Sequence, residues 1–81
     1  MTTIIGVRLD NRTQTAIDFQ KVLTHFGCSI KTRLGLHDVS NNMCAHNGLI
    51  LLEVIDDVEA NRLKEELLEI PNLELQTMRF V

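Results

Sequence analysis

Along this chain the spacing of apolar residues switches between a period of two and a period of about 3.6, and the order in which it does so admits few folds. Residues 3–9 alternate, with Ile5, Val7 and Leu9 on one side and Ile4, Gly6 and Arg8 on the other, as a half-buried strand does. Asp10-Asn11-Arg12-Thr13 is a turn and cap cluster, in which Asn11 or Thr13 can cap a helix. Ala16, Phe19, Leu23 and Phe26 then recur at helical spacing, with Val22 at the edge of the stripe. Gly27 is placed to end that helix in the left-handed conformation.

Alternation returns over residues 28–36, with Ile30, Leu34 and Leu36 on one face and Ser29, Lys31, Arg33 and Gly35 on the other. Residues 37–46, rich in Asp38, Ser40, Asn41 and Asn42, read as a loop. The apolar run from Leu49 to Ile55 has aliphatics on both faces, which predicts a central strand whose second face is also covered. Asp56-Asp57 supplies a cap and a negative first turn, Ala60, Leu63, Leu67 and Ile70 make a second helical stripe, and Pro71 stops it. In the last strand, residues 72–81, Leu73 and Leu75 share one parity and Met78 and Phe80 the other. That switch means either a bulge or apolar side chains on both faces. The order β-α-β-β-α-β is the split βαβ arrangement of ferredoxin-like folds. It predicts an α+β fold, a four-stranded antiparallel sheet with both helices on one face.

At 81 residues the chain has room for one domain, residues 1–81, and its 44% hydrophobic and 23% charged shares are those of a soluble globule. No apolar run of ~18 residues is present, so no membrane is implied. A net charge of −3 argues against direct nucleic-acid binding, and so does the lack of stacking aromatics on the first and third strands. Without a positively charged, then apolar, leader at Met1-Thr2-Thr3, a cytoplasmic location is expected. Cys28 and Cys44 form no C-x-x-C unit and read as thiols. No nucleophile elbow, P-loop or H-E-x-x-H motif occurs, and the chain is expected not to be an enzyme.

A domain this small has little core, so assembly would add to its stability. The face away from the helices should carry Arg8, Lys31 and Arg33 among aliphatics. It is expected to pack against a second copy, with these cations paired to Glu53, Glu74 or solvent.

His37, Cys44 and His46 lie within ten residues of one another, beside Asp38, and are the side chains that bind divalent nickel or zinc, or copper. The competing reading is a polar loop with solvated histidines and Cys44 as a small hydrophobe. His25 reads as a solvated helix residue and Cys28 as a packed thiol. Glu65, Glu66 and Glu69, with Arg62 and Lys64 interspersed, form a solvated acidic helix face.

Three segments carry a family likeness: Ile5-Gly6-Val7, Leu23-Thr24-His25-Phe26-Gly27 and Ile30-Lys31-Thr32-Arg33-Leu34-Gly35-Leu36. Together they resemble the small ACT-like proteins known as iron-only hydrogenase system regulators, over nearly the whole chain. The resemblance implies an ACT-like fold, homodimers or homotetramers formed through sheets, and a non-catalytic regulatory or sensing role. It departs from the family at residues 37–46, where a simple Gly- or Pro-containing turn would be expected. ACT domains usually hold a small effector near the first loop and a neighbour's second strand, which implies Asp10, Asn11, Thr13 and Arg33 here. Asn11 and Thr13 otherwise simply cap the helix, and Arg33 otherwise makes an interface salt bridge. With no DNA-binding element, such a regulator would act through another protein. The alternative is a structural or protein-interaction module with no ligand.

Overall fold

In a computed structural model of the chain, residues 2–10, 13–40 and 43–81 are described, with side chains for 2–9, 14–35 and 48–81. The elements run β1 (Thr2–Asp10), α1 (Thr13–His25), β2 (Ile30–Ser40), β3 (Met43–Val54), α2 (Asp57–Leu68) and β4 (Leu73–Phe80). They form one four-stranded sheet in the order β2-β3-β1-β4. Every neighbouring pair is antiparallel. This is the ferredoxin-like βαββαβ fold, with the long apolar run on central strand β3 as its residues imply.

Ile5, Val7 and Leu9 of β1 and Leu52 and Val54 of β3 share the buried face and meet Phe19 and Leu23 of α1, Phe26 just after it, and Ala60, Leu63, Leu67 and Ile70 of the α2 segment. The helical stripes therefore bury as their spacing predicts, except that Ala16 is only half-buried. Thr15, on the same side of α1, is buried with them. Asp56 caps α2: its Oδ1 accepts from the backbone N–H groups of Val58 at 2.9 Å and Glu59 at 3.4 Å. After Pro71, Asn72 takes φ 63°, and the chain turns into β4. Arg79 on β4 pairs with Asp57 in the first turn of α2, tying the edge strand to the helix.

Several local expectations are corrected. Residues 37–46 are not all loop, because β2 runs to Ser40 and β3 begins at Met43, with Val39 opposite Cys44 and Ser40 opposite Met43. Ladder pairing between adjacent strands overrides their polar composition. Gly27 ends α1 without the left-handed conformation, since no described glycine has positive φ. Its N–H bonds Thr24 O at 3.3 Å, and an added Cβ would approach that same oxygen to 3.4 Å, so its part in the turn is close approach. β2 starts at Ile30, which leaves Cys28 in the preceding turn, exposed rather than packed.

The largest correction concerns β2. Its register with β3 shifts between Ile30 and Thr32, from Ile30 opposite Val54 to Thr32 opposite Glu53. One extra residue on β2 exchanges the faces of everything after it. Arg33 therefore stands opposite buried Leu52, on the helix side, and Leu34 opposite Leu51, on the open side. Strand β4 pairs with β1 from Thr2–Phe80 to Leu9–Leu73 without interruption, so its change of apolar parity reflects apolar side chains on both faces.

Candidate functional site

The helix-free face of the sheet is the surface that the fold leaves uncovered. Register places Ile4, Gly6 and Arg8 of β1 there, with Leu49, Leu51 and Glu53 of β3 and Glu74, Gln76, Met78 and Phe80 of β4. Leu34 and Thr32 of β2 join them through the register shift. Leu34, Met78 and Phe80 are large apolar side chains that remain 49%, 59% and 54% exposed. Charge lies between them. Thr32 Oγ1 donates to Glu53 Oε1 at 2.9 Å, and Lys31 Nζ stands 4.0 Å from Glu53 Oε2, the pairing with Glu53 that the sequence suggests. Arg8 is directly across from Glu74 in the β1–β4 register.

At the middle of this face, Gly6 sits between Leu51 on β3 and Gln76 on β4. Beside it lies a cavity of about 280 Å³ lined by Gly6, Arg8, Leu49, Glu74 and Gln76. Sequence reading placed Gly6 on the open face but did not single it out. The available signal was a glycine inside a strand, which marks a bulge or a close approach by another group.

The residues implied by the family resemblance are distributed differently. Arg33 Nη1 donates to Gln20 Oε1 of α1 at 3.1 Å, on the helix side of the sheet. Its row is that of Leu52 and Ile5, five residues and roughly 17 Å along β1 from Asp10, within one copy. Asp10 closes β1 and Thr13 opens α1. Their side chains, and Asn11 altogether, lie outside the described residues. The side chains of the metal candidates His37, Cys44 and His46 also lie outside them. Backbone register puts His37 opposite Gly48 and Val39 opposite Cys44, so all three belong to the far end of the β2–β3 hairpin. Among the described residues, no three His, Cys, Asp or Glu side chains are grouped to hold a metal ion.

His25, exposed as its helix position implies, lies 3.6 Å by Nδ1 from Glu66 Oε1. Its ring is 5.1 Å from that of Phe26, and the Arg62 guanidinium lies 6.0 Å from the Phe26 ring centroid. The contacts of His25 with Glu66 and of Phe26 with Arg62 tie the C-terminal end of α1 to α2.

No protein-family profile matches the sequence, and no curated protein matches it. Solved structures do. The uncharacterized protein TM1266 of Thermotoga maritima superposes with a TM-score of 0.80 at 19% identity, over 95% of this chain and 92% of that one. A Dabb family protein with a ferredoxin-like fold from Mesorhizobium loti gives 0.56 at 11% identity, over 100% and 99%. A formyltetrahydrofolate deformylase of Pseudomonas putida KT2440 gives 0.59 at 13% identity, where this chain covers 99% of itself but 29% of the enzyme. At such identities the likeness establishes the ferredoxin-like fold and no activity. Among the described residues no helix is long and apolar enough to cross a membrane.

Proposed function

We propose that the chain is a non-catalytic regulatory module that assembles through its open sheet faces, as a homodimer or homotetramer, and responds to a small effector held where copies meet. The observation that carries this reading is the helix-free face itself, with Leu34 exposed on one edge strand and Met78 and Phe80 on the other. A second copy of the same face would cover the exposed apolar side chains on both of its edges at once. The resemblance of residues 30–36 to the iron-only hydrogenase system regulators points the same way. A nickel or zinc ion at the end of the β2–β3 hairpin, on His37, Cys44 and His46, belongs to the same reading as an alternative effector.

The test is a thermal-shift screen of tag-free, chelator-treated protein against nickel, zinc, copper, cobalt and a panel of amino acids, with light scattering on each sample. A ligand at ~100 times its dissociation constant stabilises the native state by ~2.7 kcal/mol, which in a domain of this size raises the midpoint by roughly 10 °C or more. A dimer or tetramer with one such shift is the expected result. A flat panel on an assembled protein would favour the interaction module without a ligand, and a 9.2 kDa monomer at micromolar concentration would overturn assembly.

A further inference from the structure

The two edges of the sheet, β2 and β4, are not alike. An edge strand exposes unpaired peptide groups, and chains that must not pair there disturb the edge with bulges, prolines or charges, lysine above all. β2 is disturbed in this way. Its ladder with β3 shifts between Ile30 and Thr32 and again between His37 and Val39, and it carries Lys31 and Arg33, both exposed. β4 lacks these devices, for it pairs with β1 without a shift and has no proline, glycine or lysine. Its charges stand toward its ends, at Glu74 and at Arg79, whose guanidinium is engaged by Asp57 on the helix side. From Gln76 to Phe80 every side chain is exposed, on the helix side as well as on the open face.

The residues of β4 also suit a second copy of themselves. When two such strands pair antiparallel about a two-fold axis normal to the sheet, opposite residues point to the same face, so the axis passes through a residue. An axis at Arg79 would set two guanidinium groups against each other, and one at Thr77 would set Glu74 against the partner's Phe80. An axis at Met78 avoids both. It places Met78 opposite the partner's Met78, Gln76 opposite the partner's Phe80, and Thr77 opposite the partner's Arg79. Met78 and Phe80 of both copies then form one apolar cluster on the open face, and Glu74 falls beyond it.

We infer that β4 pairs with β4 of a second copy in this register, joining two four-stranded sheets into one continuous sheet with the helices of both chains on the same side. This deepens the assembly reading above and rests on its claim of self-association, but on no effector. The two open faces become one surface, so face packing joins such pairs and the homotetramer is the complete assembly.

Amide hydrogen exchange, read by NMR on the ¹⁵N-labelled full chain at a concentration where light scattering shows assembly, tests the pairing. In a free edge strand alternate amides point to water and exchange fast, whereas a strand paired on both sides protects consecutive amides. Consecutive protection from Gln76 to Phe80 is expected. Thr77→Lys sets a lysine against the partner's Arg79 and leaves the open face unaltered, because Thr77 stands opposite Ile5 on the helix side. It should abolish the consecutive protection and halve the mass of the assembly, with helical circular dichroism unchanged. Alternating protection in an assembled protein, or an unchanged mass in Thr77→Lys, overturns the edge pairing and keeps assembly through the open faces. A residual dimer in Thr77→Lys keeps both contacts, and a residual 9.2 kDa monomer keeps the edge and removes face packing. An unaltered protein that is itself a monomer overturns both.

Discussion

Asp56 holds the start of α2 through one carboxylate oxygen shared by two backbone N–H groups, with Asp57 and Glu59 adding negative charge to the same turn. Asp56→Ala should therefore cost about 1 kcal/mol. In a domain of this size that appears as a fall in melting temperature of roughly 4–8 °C by circular dichroism. Asn72 carries the other demanding backbone position, at φ 63°. Asn72→Ala should destabilise by about 1 kcal/mol while Asn72→Gly is tolerated, a contrast that urea unfolding would read directly. The cap was legible from residue type, as an aspartate before an apolar stripe, whereas Asn72, read as the start of the last strand, takes the left-handed turn just before it. Gly27 and Cys28 were not legible either. A glycine can end a helix by conformation or by small size, and a cysteine one residue before an assumed strand looks packed until that strand is found to begin at Ile30.

At the scale of elements, the decisive event is the single extra residue in β2. Alternation from Ile30 to Leu36 is real, yet the register shift between Ile30 and Thr32 detaches Ile30 from the pattern that follows. Nothing in the spacing of Lys31, Thr32 and Arg33 marks the bulge, because a bulge is fixed by pairing with β3 and not by the local sequence. Its consequence is the hydrogen bond from Arg33 to Gln20, which joins an edge strand to the outer flank of α1. A double-mutant cycle with Arg33→Ala and Gln20→Ala should show coupling of about 0.5 kcal/mol, the low end for a hydrogen bond whose partners are both exposed. Zero coupling would mean that this hydrogen bond adds nothing to stability in solution. The polar residues 37–40 and 43–46 illustrate the same limit, for their extended pairing comes from the neighbouring strand and not from their composition.

For the whole molecule, the order of periods was sufficient to specify the architecture, because a βαββαβ string with short connections has few ways to cover both helical stripes. What it left open was how much apolar surface remains once the core is complete. The answer lies in β4, where Leu73 and Leu75 turn toward the helices and Met78 and Phe80 away from them. The molecule is a slab with principal extents of 39 × 23 × 18 Å, and its broad side is large enough for the ~800 Å² per partner of a standard stable interface. If two such faces meet, Met78 and Phe80 lie inside the contact, and introducing charge there strands it in an apolar layer. Met78→Lys combined with Phe80→Lys should convert the oligomer to a monomer by analytical ultracentrifugation. Helical circular dichroism should be retained, because neither residue belongs to the buried core. The monomeric variant should also melt at a lower, concentration-independent temperature, whereas the unaltered protein's midpoint rises with concentration as mass action requires. An unaltered protein whose midpoint ignores concentration would place its stability within the single chain, and Leu34, Met78 and Phe80 would then be surface for some other partner.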